Sequence, residues 1–513
     1  MDQHTNPAPD WGSFGQPLFN DPDARALSRV GVVDVGSNSV RLVVFDGAAR
    51  SPAYFYNEKL MCALGAGLSE TGKLNPTGRE RALAALHRFQ HLADGLDLPP
   101  LRVVATAAVR EAKDGPEFCA EVKKKTGLTI QVIDGDEEAR LSAQGVLLGW
   151  PGAYGLICDI GGSSMELAEI SDGQVGKRLT SPLGPLKLRD ISGGRRGRKT
   201  QIKKVMEGLR DQLGPQRDRL FLVGGSWRAI ARLDMLRRGY PLAVLHEYRM
   251  TASDIRKTVK FIEAGDPDEL RSAAGVSGSR MALVPYAMDV LTRLIRTFKP
   301  KDIAVSSYGI REGLLYEQMS QKLRDRDPLI EACRFAEAKD ARLPGFGKQL
   351  FDFVMPLFKS QPAEVTRLVK AGCLLHDVSW RAHPDYRAEV CFDYVTRANM
   401  GGLKHSERVF LGLALQHRYR NKREGNRFEP LYELLSNKGQ KQAEILGKAM
   451  RFGAMMWMRE DAKIGKLNWY PKKKVLELRL PASALPLFSE VAEARLKSLS
   501  TALEAETKML IRG

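Results

Sequence analysis

One short pattern occurs twice in this chain and limits what it can fold into. Residues 30–45 read VGVVDVGSNSVRLVVF and residues 155–170 read GLICDIGGSSMELAEI. In each copy an apolar strand ends in Asp (Asp34, Asp159), an apolar residue and Gly follow, Ser stands in the sixth place, and a second strand begins. The copies lie 125 residues apart. A supersecondary unit repeated at domain-sized separation implies two related halves. Each turn is also chemically suggestive, because a Gly/Ser turn between two strands exposes several backbone N–H groups on one side, and such concave sets of donors bind anions. Gly36, Gly161 and Gly162 allow close approach to the main chain, while Ser37, Asn38, Ser39, Ser163 and Ser164 add side-chain donors. The leading Asp34 and Asp159 are natural anchors for Mg²⁺, which prefers one or two carboxylates together with phosphate oxygens.

Between and after the copies the pattern alternates. Thr77 with Glu80 reads as a capping box opening a helix with Leu83, Leu86 and Phe89 on its apolar face. Strands are expected at 101–107, 129–133, 220–223 and 302–306, and helices from Asp136 to about Leu148 and over 280–297. Interleaved strands and helices predict an α/β domain. After about residue 320 the texture becomes helical through 460, and residues 463–480 alternate as a β hairpin. The expected organisation is a flexible tail over 1–28, two α/β halves over 29–150 and 151–320, and a mainly α region with a small β-containing part over 321–513.

At 513 residues the chain is too long for one core. No apolar run approaches the roughly 18 residues that span a bilayer, and the N-terminus lacks the apolar stretch of a secretory signal. Six widely spaced cysteines with no C-x-x-C pair point to reduced thiols in a cytoplasm. The net charge of +18 suggests a polyanionic partner, either nucleic acid or a phosphate polymer.

Five segments taken in order resemble one family: VDVGSNSVRLVV, ATAAVREA (105–112), IDGDEEARL (133–141), CDIGGSSMEL (158–167) and YGIREGLLYE (308–317). They are similar to the exopolyphosphatase and guanosine pentaphosphate phosphatase family, within the actin-like superfamily of sugar kinases and heat-shock chaperone ATPases. The resemblance implies two ribonuclease-H-like domains closing around phosphate, followed by an HD-like helical domain. It implies hydrolysis of the terminal phosphoanhydride of inorganic polyphosphate, processive and in a homodimer. Mg²⁺ or another divalent cation is the implied cofactor, with K⁺ as a candidate activator. A guanosine alarmone of the stringent response is the alternative ligand, as substrate or as the signal read by a non-catalytic sensor.

The resemblance also assigns roles. Glu138, the second acid of the E-E-A-R motif, corresponds to the family's water-activating glutamate; without it, Glu137 and Glu138 would simply be acids favourable in a first helical turn. Arg110 resembles the family arginine that clasps phosphate, work suited to a guanidinium fork. Asp159 and Glu166 look like the acids near the divalent cation, with Asp34 as pseudo-symmetric partner. The chemistry implied is direct attack by water, without a covalent intermediate. Two departures stand out. The second loop has Ser163 where the family commonly has a third Gly, and VGGSWRA (223–229) places Trp227 and Arg228 beside what is an adenosine pocket in nucleotide-using members. Their bulk argues for a phosphatase over a kinase.

Two basic stretches could track a phosphate polymer. Residues 193–204 hold six basic residues and no acid, and residues 404–424 hold Lys404, Arg408, Arg418, Arg420, Lys422 and Arg423 against Glu407 and Glu424. Single-stranded nucleic acid fits less well, since its binding commonly adds aromatic platforms and few aromatics, Phe410 and Tyr419, are interleaved here. His376–Asp377 resembles the centre of an HD metal site. No histidine lies between His246 and His376 to complete the ligand set, so a structural role is expected.

Overall fold

The computed structural model describes residues 29–46, 50–214, 218–422, 425–456 and 465–512. The expected tail over 1–28 and Arg423 lie outside them. The chain divides into two compact units, Leu27–Pro328 and Leu329–Gly513.

In the first unit the elements that build the sheets and frame the cavity between them run, with further helices interspersed, in the order β1 (Val30–Val35), β2 (Ser39–Phe45), β3 (Tyr54–Met61), α1 (Pro76–Gly95), β4 (Arg102–Ala105), α2 (Ala107–Glu111), β5 (Ile130–Val132) and α3 (Gly135–Gly149). Then follow β6 (Gly155–Ile160), β7 (Met165–Ser171), β8 (Gln174–Ser181), α4 (Pro185–Arg189), α5 (Gly194–Leu213), β9 (Arg219–Val223), α6 (Gly225–Arg238), β10 (Tyr248–Met250), α7 (Val284–Phe298), β11 (Asp302–Val305) and α8 (Ile310–Glu317). One sheet has the order β3-β2-β1-β4-β5 and the other β10-β11-β9-β6-β7-β8. In each, an antiparallel meander leads into parallel strands. The second sheet is thus a copy of the first with β10 added at its edge.

The duplication reaches the turns. Gly36 N–H donates to Ser39 C=O and Gly161 N–H to Ser164 C=O, both at 3.0 Å. Asp34 and Asp159 stand at the carboxyl ends of β1 and β6, the strands at which each sheet's order reverses. In open α/β sheets that is where ligands bind.

Central strands are buried on both faces, so they read as near-continuous apolar runs. Val33 and Val35 pack with Leu86 and Phe89 of α1, whereas Val32 joins Leu141 and Val146 of α3 in a core that also takes Ile157 and Phe221 from the second sheet. Between the two sheets α3 and α8 cross closely: a Cβ on Gly313 would stand 1.9 Å from Leu141 O.

Three expected helix starts move. The cap of α1 is Asn75, whose side chain accepts from Gly78 N–H, not Thr77. Pro76 is the first helical residue, a position where its missing N–H costs nothing. Asp134, not Asp136, caps α3 and accepts from Glu137 N–H at 2.8 Å. The helix expected over 280–297 begins at Val284, after a separate turn at Gly278–Met281.

The second unit is mainly helical, including α9 (His405–Tyr419) and α10 (Asn437–Gly453). The expected hairpin forms from β12 (Lys466–Tyr470) and β13 (Val475–Pro481), but β14 (Glu506–Arg512) then joins β13 in parallel and completes a three-stranded sheet. The basic stretch 404–424 faces solvent only in part: Lys404, Arg420 and Lys422 are exposed, but two of its arginines turn inward. Arg408 is buried and donates to the carbonyls of Ala398 and Met400 at 2.7 and 2.8 Å, and Arg418 is also buried. No helix among the described residues is long and apolar enough to cross a membrane.

Candidate active site

The two glycine-serine turns face each other across a cavity of about 280 Å³. Asp34, Gly36, Ser37, Asn38 and Ser39 line one side, and Asp159, Gly161, Gly162, Ser163 and Ser164 the other. Their turn closures use the N–H groups of Gly36 and Gly161, leaving those of Ser37, Asn38, Gly162 and Ser163 to an incoming anion. Ser37 and Ser163 hydroxyls meet at 3.3 Å.

Glu138 projects into the same cavity from the first turn of α3. It is 5% exposed. Burial, then the Asp159 charge, push its carboxyl up to about 8, opposed by Arg110. A carboxylate poised near neutrality suits general-base work. Arg110 does not line the cavity. It stands behind Glu138, with Nη1 3.3 Å from Glu138 Oε2 and 2.7 Å from Ile133 O.

Glu166 is also off the cavity wall. It lies opposite Asp159 in the β6–β7 register, but its Oε1 accepts from Thr180 Oγ1 at 3.2 Å toward β8. Burial first, then Glu138 and Asp159, hold its carboxyl well above the usual range. Asp34 and Asp159 are likewise raised, chiefly by burial; Arg311 opposes this at Asp34, and a hydrogen bond from Ser142 opposes it at Asp159. Among the described residues no set of three or more His, Cys, Asp or Glu is placed to hold a metal, so the expected trio Asp34, Asp159 and Glu166 is not grouped as one.

Five cations line the cavity, Arg41, Lys59, Arg228, Arg280 and Arg311; of these the motifs point only to Arg228, and there as a bar to a nucleotide. They come from β2, β3, α6, the turn before α7, and α8. Arg41 and Arg311 lay inside quoted motifs, which was their only sequence signal. Trp227 proves to be a core residue: it is fully buried and its Nε1–H donates to Cys158 O at 3.2 Å. It therefore cannot obstruct an adenosine pocket; of that pair only Arg228 reaches the cavity. No aromatic side chain lines the cavity among the described residues.

The His376–Asp377 pair belongs to the other unit and is committed internally. His376 Nδ1 is 2.9 Å from Cys373 O, and burial together with Arg418 pushes its imidazole down to about 4. Arg342 takes both Asp377 oxygens at 2.7 and 2.8 Å and holds that carboxyl below its ordinary value despite burial.

Comparison with known proteins is consistent across the chain. The profile of the Ppx/GppA phosphatase family matches residues 43–322, and that of the exopolyphosphatase C-terminal domain matches residues 337–510. Exopolyphosphatase 1 of Mycobacterium tuberculosis (strain ATCC 25618 / H37Rv) is 26% identical over 320 residues, which is 59% of this chain and 92% of the relative. A Ppx/GppA family member from Aquifex aeolicus has a similar structure, at 24% identity and a TM-score of 0.50 over 59% of this chain and 100% of its own. An exopolyphosphatase from Cytophaga hutchinsonii ATCC 33406 superposes at a TM-score of 0.51 and 23% identity, over 57% of this chain and 98% of its own. These structural likenesses establish the shared fold.

Proposed function

The chain belongs to the Ppx/GppA phosphatase family, and from that premise we propose that it is an exopolyphosphatase, hydrolysing the terminal phosphoanhydride of inorganic polyphosphate and releasing orthophosphate processively. The observation that carries this reading is the five cations Arg41, Lys59, Arg228, Arg280 and Arg311 around one cavity with Glu138. A single phosphate carries at most about two charges at neutral pH. Five cations match a run of consecutive phosphates.

The turn N–H groups, the hydroxyls of Ser37 and Ser163 and the side-chain amide NH₂ of Asn38 hold the terminal phosphoryl oxygens. Glu138 accepts the proton of a water aligned with the scissile bond, and Arg110 fixes the carboxylate. The cavity arginines stabilise charge on the departing chain. Asp34 and Asp159 both reach the cavity and have no ion-pair partner within 4.0 Å among the described residues. Two part-buried carboxylates without a direct ion-pair partner fit Mg²⁺ or another divalent cation, which would supply neutralisation of phosphate charge there. Glu166 would act behind them, with His376–Asp377 outside the reaction.

Guanosine pentaphosphate is the second reading, since its 5′-phosphoanhydride calls for the same chemistry. The absence of an aromatic platform on the described cavity wall favours the polymer, because a guanine base would find no ring to stack on. Phosphate release from long polyphosphate and from guanosine pentaphosphate, measured side by side with Mg²⁺ and after chelation, tests the assignment. Glu138→Gln is expected to lose about 10²–10⁴-fold in rate. Equal rates for this variant and the unaltered enzyme would remove Glu138 from the mechanism, and a strong preference for the nucleotide would reverse the substrate ranking.

A further inference from the structure

The second unit contains a cavity of its own, of about 440 Å³, between the C-terminal end of α9 and α10. That is within the range of small-molecule sites. Three lysines, Lys422, Lys441 and Lys448, line it with His417 against one acid, Glu444. Lys448 Nζ is 2.7 Å from Glu444 Oε1, and Lys441 Nζ is 3.7 Å from Glu444 Oε2. One carboxylate therefore answers three ammonium groups, and the site stays positive even with His417 neutral.

The arrangement is built by the fold. Asn437, Lys441, Glu444 and Lys448 follow one another at helical spacing along a single face of α10. At Gly447 a Cβ would stand 2.2 Å from Ala414 O and 2.4 Å from His417 Cβ, so only glycine lets α9 come near enough to add His417. Asn421 accepts from Ser498 Oγ at 2.6 Å through its carbonyl oxygen, which leaves its NH₂ as a donor. The first turn of α10 carries no acid that would compete with an anion.

What is missing from the wall identifies the ligand class. Every lining residue is polar or charged, none is aliphatic, and the one ring among them, that of His417, is only 2% exposed. A nucleoside or another ligand with an apolar body would have nothing to pack against, whereas an inorganic polyanion needs only charge and donors. We infer that this cavity is a second anion site, selective for inorganic phosphate chains: a free di- or triphosphate, or a run of phosphates within a longer polymer. It stands on the charge and lining of this cavity alone and does not depend on hydrolysis at the other.

The test uses full-length protein carrying Glu138→Gln, titrated calorimetrically with triphosphate, long polyphosphate and GTP. Lys422→Gln with Lys441→Gln, both at solvent-accessible positions, is expected to abolish one class of triphosphate site, weakening it about tenfold or more, with the melting temperature retained. GTP is expected not to compete there. In the otherwise unaltered enzyme, a raised KM for long chains with triphosphate kinetics unchanged identifies a polymer segment as the occupant. An unchanged KM with the triphosphate site lost identifies free short phosphates. Identical triphosphate binding before and after the double substitution overturns the inference, as does GTP competing as well as triphosphate. Absence of turnover in the unaltered enzyme would count against the hydrolytic reading and leave the binding result standing.

Discussion

Ser37 and Ser163 join the two halves of the first unit through a buried hydroxyl–hydroxyl contact of 3.3 Å, although the 125-residue repeat maps Ser37 onto Gly162 and not onto Ser163. The turns therefore touch one residue out of step, and the departure at position 163 supplies the tie. Ser163→Ala removes one hydrogen bond and is expected to lower stability by about 1 kcal/mol. KM for polyphosphate should rise a few-fold with kcat nearly retained. Chemical denaturation and steady-state phosphate release check the two parts.

Arg110 reaches Glu138 and not the cavity, so its effect should appear in the pH profile. Water attack needs ionised Glu138, so kcat/KM climbs as pH rises through its raised pKa. Arg110 favours the ionised form. Arg110→Ala is therefore expected to move the acid limb to higher pH, and Glu138→Gln to abolish that limb. A lower rate with the limb unmoved would show that Arg110 acts on phosphate directly.

Gly184 supports the second turn from beneath. A Cβ there would stand 2.2 Å from the carbonyl carbon of Ser163 and 2.4 Å from Ser164 N, both main-chain atoms that cannot turn aside. Gly184→Ala is expected to cost about 1–3 kcal/mol of stability and to reduce phosphate release by more than about tenfold, since misplacement of about 1 Å is costly in a phosphate cradle. Thermal melts and kinetics at saturating substrate distinguish the two effects.

Glu337 in the second unit is 7% exposed and accepts from Gly347 N–H at 2.7 Å; burial pushes its carboxyl up from 4.5 to about 7. The folded protein therefore holds a proton there that the unfolded chain has released. Stability should fall as pH rises from 4.5 to about 7 and then level off, by up to about 3 kcal/mol. Glu337→Gln keeps an acceptor for Gly347 and should be the more stable protein above that window. Urea denaturation across pH 4–8 would reveal the difference.

How far sequence reasoning reached follows from the range of the interactions involved. The paired turns were visible because strand, Asp, Gly and Ser are consecutive, and each turn closes on itself through one short hydrogen bond. Glu138 was visible because its motif is continuous with the helix that carries it. Caps were displaced by two residues, at Asn75 and Asp134, because neighbouring polar residues offer equivalent side chains and only backbone geometry selects between them. Charge was visible but its direction was not: Arg408 and Arg418 count as basic whether they face solvent or the core, and here they turn inward.

Strand periodicity, the turn chemistry and the duplication thus belong to local order along the chain, and so does the placement of two Asp residues at equivalent strand ends. Tertiary structure decided the rest. It gathered Arg41, Lys59, Arg228, Arg280 and Arg311 from five separate segments into one cavity, moved Trp227 into the core, and set Glu166 and Arg110 behind the site. No spacing in sequence encodes those choices, because they depend on which faces of distant elements meet when both sheets bury their apolar surfaces against α3 and α8.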